Sequence, residues 1–106
     1  MYNNVTAKKL LHEFERLKLI LIKYNENNWV RGVELVIEKL EWSFSEKCNE
    51  PYAFYLDACN TWKAMDRVNG SFSDYYIWHD DFNERVRLNE LLDSIKNHIW
   101  DIVIKI

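Results

Sequence analysis

Glycine and proline are scarce in this sequence, with two glycines and one proline in 106 residues. Sandwiches and barrels of many short strands need frequent turns, and this chain has little to make them from. Cysteine is equally sparse. Cys48 and Cys59 stand eleven residues apart and form neither a disulfide framework nor a zinc ligand set. With Gly32 and Gly70 as the only glycines, no phosphate-binding or dinucleotide-binding glycine motif can be written. No run reaches the ~18 apolar residues of a membrane span. The opening Met-Tyr-Asn-Asn lacks the basic and apolar parts of a secretory leader. These absences predict a single cytoplasmic domain over residues 1–106, with reduced thiols and no membrane contact.

What is present is apolar, charged and aromatic: 48% hydrophobic and 29% charged, a globular composition. Leu10, Phe14, Leu17, Leu21 and Tyr24 step by four and three, which places them on one helical face. Thr6 or Asn4 can cap that helix, and the polar run 25–28 ends it. Val30, Val33, Ile37, Leu40 and Phe44 predict a second helix from Trp29 to about Phe44. Gly32 inside it either costs ~1 kcal/mol relative to alanine or permits close packing against the first helix. Pro51 opens a third helix carrying Tyr52, Tyr55, Cys59, Trp62 and Met65, which should stop before Asn69-Gly70. The segment 71–78 shows no clean period and predicts an ordered loop with a short helical turn or one extended stretch. A last helix carries Leu88, Leu92, Ile95, Ile99, Ile102 and Ile106, with Asp80 or Asp81 as its cap and Glu84 in its first turn. The expected fold is all-α: a compact antiparallel bundle of about four helices with an ordered aromatic loop before the last. The first and last helices, with the cleanest stripes, should form its centre.

Charge is unevenly spread. The net charge is −3, but residues 34–84 hold eleven acidic and four basic residues, a net of −7, between mildly basic flanks. Rings follow the same division, with eleven of the sixteen aromatic residues between Trp42 and Phe82. One helix and one loop are unable to bury them all. Tyrosine and tryptophan beside carboxylates are what a protein-binding patch uses, since rings give contact area at low entropic cost and acids pair with basic groups opposite.

Catalytic chemistry finds little support. His79-Asp80-Asp81 has the look of a metal phosphohydrolase fragment, but the further ligands would have to come from His12 or His98 on other helices. Helix capping with an exposed histidine accounts for the triplet. Glu34, Glu38 and Glu41 share one helical face but lack the Glu-x-x-His partners of a di-iron site. Cys48 and Cys59 lack the companions that a nucleophile or a ligand set requires, and Cys59 falls on an apolar stripe. The lysines of the first helix are interleaved with Glu13 and Glu15, so direct nucleic-acid binding is not expected. The chain reads as a non-enzyme that needs no metal or cofactor.

The segment Asn69-Gly70-Ser71-Phe72-Ser73-Asp74-Tyr75 resembles a Gly-Ser-Phe-x-Asp element of small helical bacterial proteins. Trp29-Val30 at the opening of the second helix, and Asn83 to Leu88 at the start of the last, are similar to that family as well. The resemblance spans most of the chain in helix order and rests on a few residues. It implies an immunity protein encoded beside a secreted toxin, including toxins of contact-dependent growth inhibition, and implies no catalytic residue. Pro51 to Met65 is longer and more aromatic than the family pattern, and Tyr75-Tyr76-Ile77-Trp78 is unusual for it.

Charge map and resemblance converge on one expectation. A cognate toxin domain, basic and of the nuclease class, would be neutralised by tight stoichiometric binding. The expected contact residues are Asp74, Tyr75, Tyr76, Trp78, Asp80, Asp81 and Glu84, with Glu38 and Glu41 added from the second helix. A helical adaptor or regulatory subunit using the same face for another basic protein is the alternative, and a small helical metalloenzyme the third reading.

Overall fold

The computed structural model describes residues 2–66 and 72–105. Asn69-Gly70, the first residues of the Gly-Ser-Phe element and Ile106 of the last stripe lie outside them. Four α-helices and one short 3₁₀ turn run in the order α1 (Asn4–Lys23), α2 (Val30–Ser43), α3 (Pro51–Asp66), the turn Phe72–Asp74, and α4 (Phe82–Val103). The fold is all-α, as the periodicities require.

The starts of α1, α2 and α4 lie where orphan amides find a side-chain acceptor. At α1 the cap is Asn3, one residue ahead of Asn4 and three ahead of Thr6, the two expected caps; its side chain accepts from the amides of Val5 and Thr6. Asn25 turns the chain after α1 with φ 58°, a conformation asparagine tolerates. The carboxylate of Glu26 then accepts from the amides of Asn28, Trp29 and Val30 at 2.9, 2.6 and 3.1 Å. Glu26 is buried, yet its charge sits against the positive end of α2, where the helix dipole favours it. Asp81 caps α4, as expected, by accepting from the Glu84 amide at 3.0 Å.

Cross-contacts join the packed helices, and the first of them sets α1 antiparallel to α2. The Tyr2 hydroxyl lies 3.3 Å from that of Ser43 at the far end of α2. Lys39 of α2 pairs with Asp57 of α3 at 2.8 Å, and Glu13 of α1 faces His98 of α4 at 3.4 Å. α1 packs on α2 and α4, and α2 also packs on α3. Gly32 also turns out differently: a Cβ there would lie 2.7 Å from the Met65 sulfur, so the close approach is to α3 and not to α1.

The core contains Leu10, Phe14, Leu17 and Leu21 of α1, Val33, Val36 and Leu40 of α2, and Leu92, Ile95 and Ile99 of α4. Rings close the seam between α3 and α4. Trp62 is fully buried and meets Phe14, Phe72 and Trp100 at centroid distances of 5.4, 5.8 and 6.1 Å. A polar knot lies beside them. Trp100 donates its indole N–H to Asp66 at 2.7 Å, and Lys96 sits 3.1 Å from the other Asp66 oxygen. The Lys96 ammonium also stands 5.0 Å from the centre of the Phe72 ring. This knot ties α3, α4 and the 3₁₀ turn at one end of the bundle.

Candidate functional site

Among the described residues the segment 75–79 has no strand to pair with, yet it is held by hydrogen bonds. Asn89 supplies what a neighbouring strand would: Oδ1 accepts from the Ile77 amide at 2.9 Å, and Nδ2 donates to the Ile77 carbonyl at 2.8 Å. The same Nδ2 donates to the Arg85 carbonyl at 2.8 Å, so α4 itself orients the amide. Ile77 is thereby buried. Its two neighbours face outward, Tyr76 at 55% and Trp78 at 67% exposure.

Trp78 is exposed but not loose. The Arg85 guanidinium lies 4.3 Å from its ring centre, and the indole N–H donates to Asp80 at 3.3 Å. Phe82, 64% exposed, lies 5.3 Å from the same guanidinium. Arg85 also donates to the His79 carbonyl at 3.3 Å. Cation–π stacking and two hydrogen bonds thus fix a large apolar surface that faces water.

The acidic residues around it have defined tasks. Asp80 holds the indole and Asp81 caps α4. Glu84 pairs with Arg87 at 2.7 Å, and that hydrogen bond holds the Glu84 carboxyl below its ordinary pKa. His79 accepts the Asp81 amide through Nδ1 at 3.0 Å. Tyr75 is half-buried and stacks on Phe72 at 5.6 Å. Burial raises its hydroxyl pKa.

The structure brings Asp74, Tyr75, Tyr76 and Trp78 to one cleft of about 640 Å³, and Asp80, Asp81 and Glu84 follow directly at the head of α4. Glu38 and Glu41 are not part of that group. Both are exposed on α2, and Glu41 shares a shallow groove with Glu15, Lys18 and Leu19 of α1. The remaining rings divide. Tyr55, Trp62 and Phe72 are core, whereas the exposed Trp42 and Phe54 meet at 6.2 Å where α2 ends and α3 begins, and the exposed Tyr52 lines a separate groove with residues of α1 and α4.

Ligand sets for catalysis are a separate matter. Among the described residues no group of three or more His, Cys, Asp or Glu stands close enough to hold a metal ion. His12 and His98 line one groove between α1 and α4, while His79 lies ahead of Phe82, the first residue of α4, which is roughly 24 Å from His98 along the helix. Burial pushes the Cys59 thiol up to about 11 and the Tyr55 hydroxyl, its neighbour one turn away, up to about 12. Among the described residues no helix is long and apolar enough to cross a membrane.

Sequence reading missed Asn89, because a half-buried asparagine on a helix signals nothing until the segment it holds is known. Arg85 was missed for the same reason. No protein-family model, curated protein or solved structure matches the chain.

Proposed function

We propose that this chain is a cytoplasmic, non-catalytic immunity protein that neutralises one secreted bacterial toxin domain, a nuclease, by tight stoichiometric binding. The observation that carries the reading is Trp78, which is 67% exposed and yet held by Arg85 and Asp80. Holding a large ring in water serves no folding purpose, because the ring buries little. It does lower the cost of association, since an anchor already immobilised loses little side-chain entropy on binding. Tyr76 and Phe82 extend the apolar area, and Asp80, Asp81 and Glu84 border it with charge opposite to that of a phosphate-binding cleft.

Neutralisation then follows from occupancy. A nuclease concentrates positive charge where it grips phosphate, and an acidic, aromatic surface competes for that place. The test is to express the chain with the toxin domain encoded in the adjacent reading frame. A 1:1 complex that abolishes nuclease activity supports the reading. Full toxin activity in the presence of excess protein contradicts it.

A further inference from the structure

We propose that the pocket where α1 and α3 begin and α4 ends binds a phosphate monoester carrying a flat ring, a nucleoside monophosphate in class. Its volume is about 490 Å³, within the range of small-ligand sites. It lies at the opposite end of α1 from the Trp78 cleft, whose second wall is the turn 24–29. Thr6 lines the one and Tyr24 the other, about 27 Å apart along the helix. None of the proposed toxin contacts lies in the pocket.

Its charge is of one sign. Lys9 of α1 and Lys105, just past α4, line it, and among the described residues no aspartate or glutamate does. Both ammoniums are uncommitted: among the described residues neither forms an ion pair, a hydrogen bond or a ring contact. Lys18, Lys39 and Lys96, by contrast, each hold a carboxylate. The Thr6 and Tyr52 hydroxyls are equally free to donate, whereas the Asn3 side chain is spent on capping α1. Neither α1 nor α3 carries an acidic residue in its first turn, and Glu50, just ahead of α3, is exposed and outside the lining. At the end of α4 the Trp100 and Ile102 carbonyls are occupied by the amides of Ile104 and Lys105.

Two ammoniums and two hydroxyls select a dianion with oxygens on several sides, which a phosphate monoester supplies. A cation meets only like charge there. The rest of the wall is apolar, from Ile102 and the rings of Tyr52 and Tyr55. Tyr55 is buried, hydrogen-bonded with Cys59 and in edge contact with Tyr2 at 5.8 Å. Tyr52 is 41% exposed and among the described residues makes no ring–ring or cation–ring contact, so its face is open to stack on a base.

The experiment is a nuclear magnetic resonance titration of the full chain with adenosine monophosphate, with adenosine and glycerol phosphate as controls. The expected result is a saturable shift of the backbone amides of Thr6, Lys9 and Tyr52, with half-saturation below ~1 mM. Adenosine, which lacks the charge, and glycerol phosphate, which lacks the ring, should each bind about tenfold more weakly or worse. Lys9→Gln and Lys105→Gln, both at exposed sites, should each weaken binding about tenfold, and Tyr52→Ala about fivefold or more. Lys47→Gln, exposed and outside the pocket, should change nothing. Unmoved signals, or unchanged affinity in both Lys9→Gln and Lys105→Gln, overturn the inference. Adenosine or glycerol phosphate binding as tightly as the nucleotide overturns it too. So does Lys47→Gln weakening binding as much as Lys9→Gln, which would mark diffuse attraction between charges in place of a site.

Discussion

The Asn89 side chain and the Ile77 backbone exchange two hydrogen bonds, 2.9 Å to the amide and 2.8 Å from the carbonyl, across twelve residues of sequence. One side chain therefore does the work of a strand, and the exposed rings on either side of Ile77 owe their direction to it. Replacing Asn89 by alanine should cost ~1–3 kcal/mol, because both Ile77 groups lose their partners in a half-buried place. Hydrogen exchange checks it: the Ile77 amide should lose protection in Asn89→Ala while amides in the middle of α1 keep theirs. Equal protection in both proteins would show that other contacts hold the segment.

The core prediction concerns Ile95, which is 1% exposed on the buried stripe of α4. Ile95→Ala should lower stability by ~2–5 kcal/mol, the transfer term plus the cavity left behind. Urea unfolding measures it, and a loss under ~1 kcal/mol would contradict the packing described for α4.

Stability should fall at alkaline pH. Burial raises Tyr55 from 10.0 to about 12 and Cys59 from 9.0 to about 11. Between about pH 9 and pH 12 the unfolded chain releases these protons while the folded chain retains them. The unfolded state then binds fewer protons, so stability declines as pH rises through that window, and these two groups add no slope below it. Tyr75, also raised by burial, acts in the same direction. Urea midpoints across the window should show a shallower decline in Tyr55→Phe and in Cys59→Ala than in the wild type. An undiminished slope in both would remove these groups from the account.

Charge should govern encounter. Asp80→Lys with Glu84→Lys reverses one exposed and one half-buried acid without removing the Asp81 cap, whose loss alone would cost ~1 kcal/mol. Association with a basic toxin should slow about tenfold or more at low salt, and added salt should narrow the difference. Association rates that match the wild type at every ionic strength would place the interface elsewhere.

Much of the fold was legible because periodicity is a local signal. Leu10 to Leu21 and Leu88 to Ile99 announce their helices by spacing alone, and Asp81 and Pro51 mark helix starts by their chemistry. Partners distant in sequence left no such mark. Asp66, Lys96 and Trp100 look like ordinary surface residues until α3 and α4 meet. Gly32 shows its packing role but not its partner, since Met65 lies on another helix. Rings are ambiguous for a related reason: Trp62 and Trp78 are alike in sequence, and only the bundle decides that one is fully buried and the other largely exposed. The acidic, aromatic character of residues 74–84 was legible. That Arg85 and Asn89 organise it, and that the turn 24–29 faces it, was not.

The central claim is that Trp78 anchors a protein partner, and the dissociation rate of the complex tests it most directly. Surface plasmon resonance with the toxin domain from the adjacent reading frame compares wild type with Trp78→Ala, after circular dichroism has shown that both are folded. A central aromatic anchor is typically worth ~2–4 kcal/mol when truncated, so the variant should leave its partner roughly 30-fold faster or more, with little change in association and little dependence on salt. Failure of the wild type to form a complex, or a Trp78→Ala complex as long-lived as the wild type, would contradict the account.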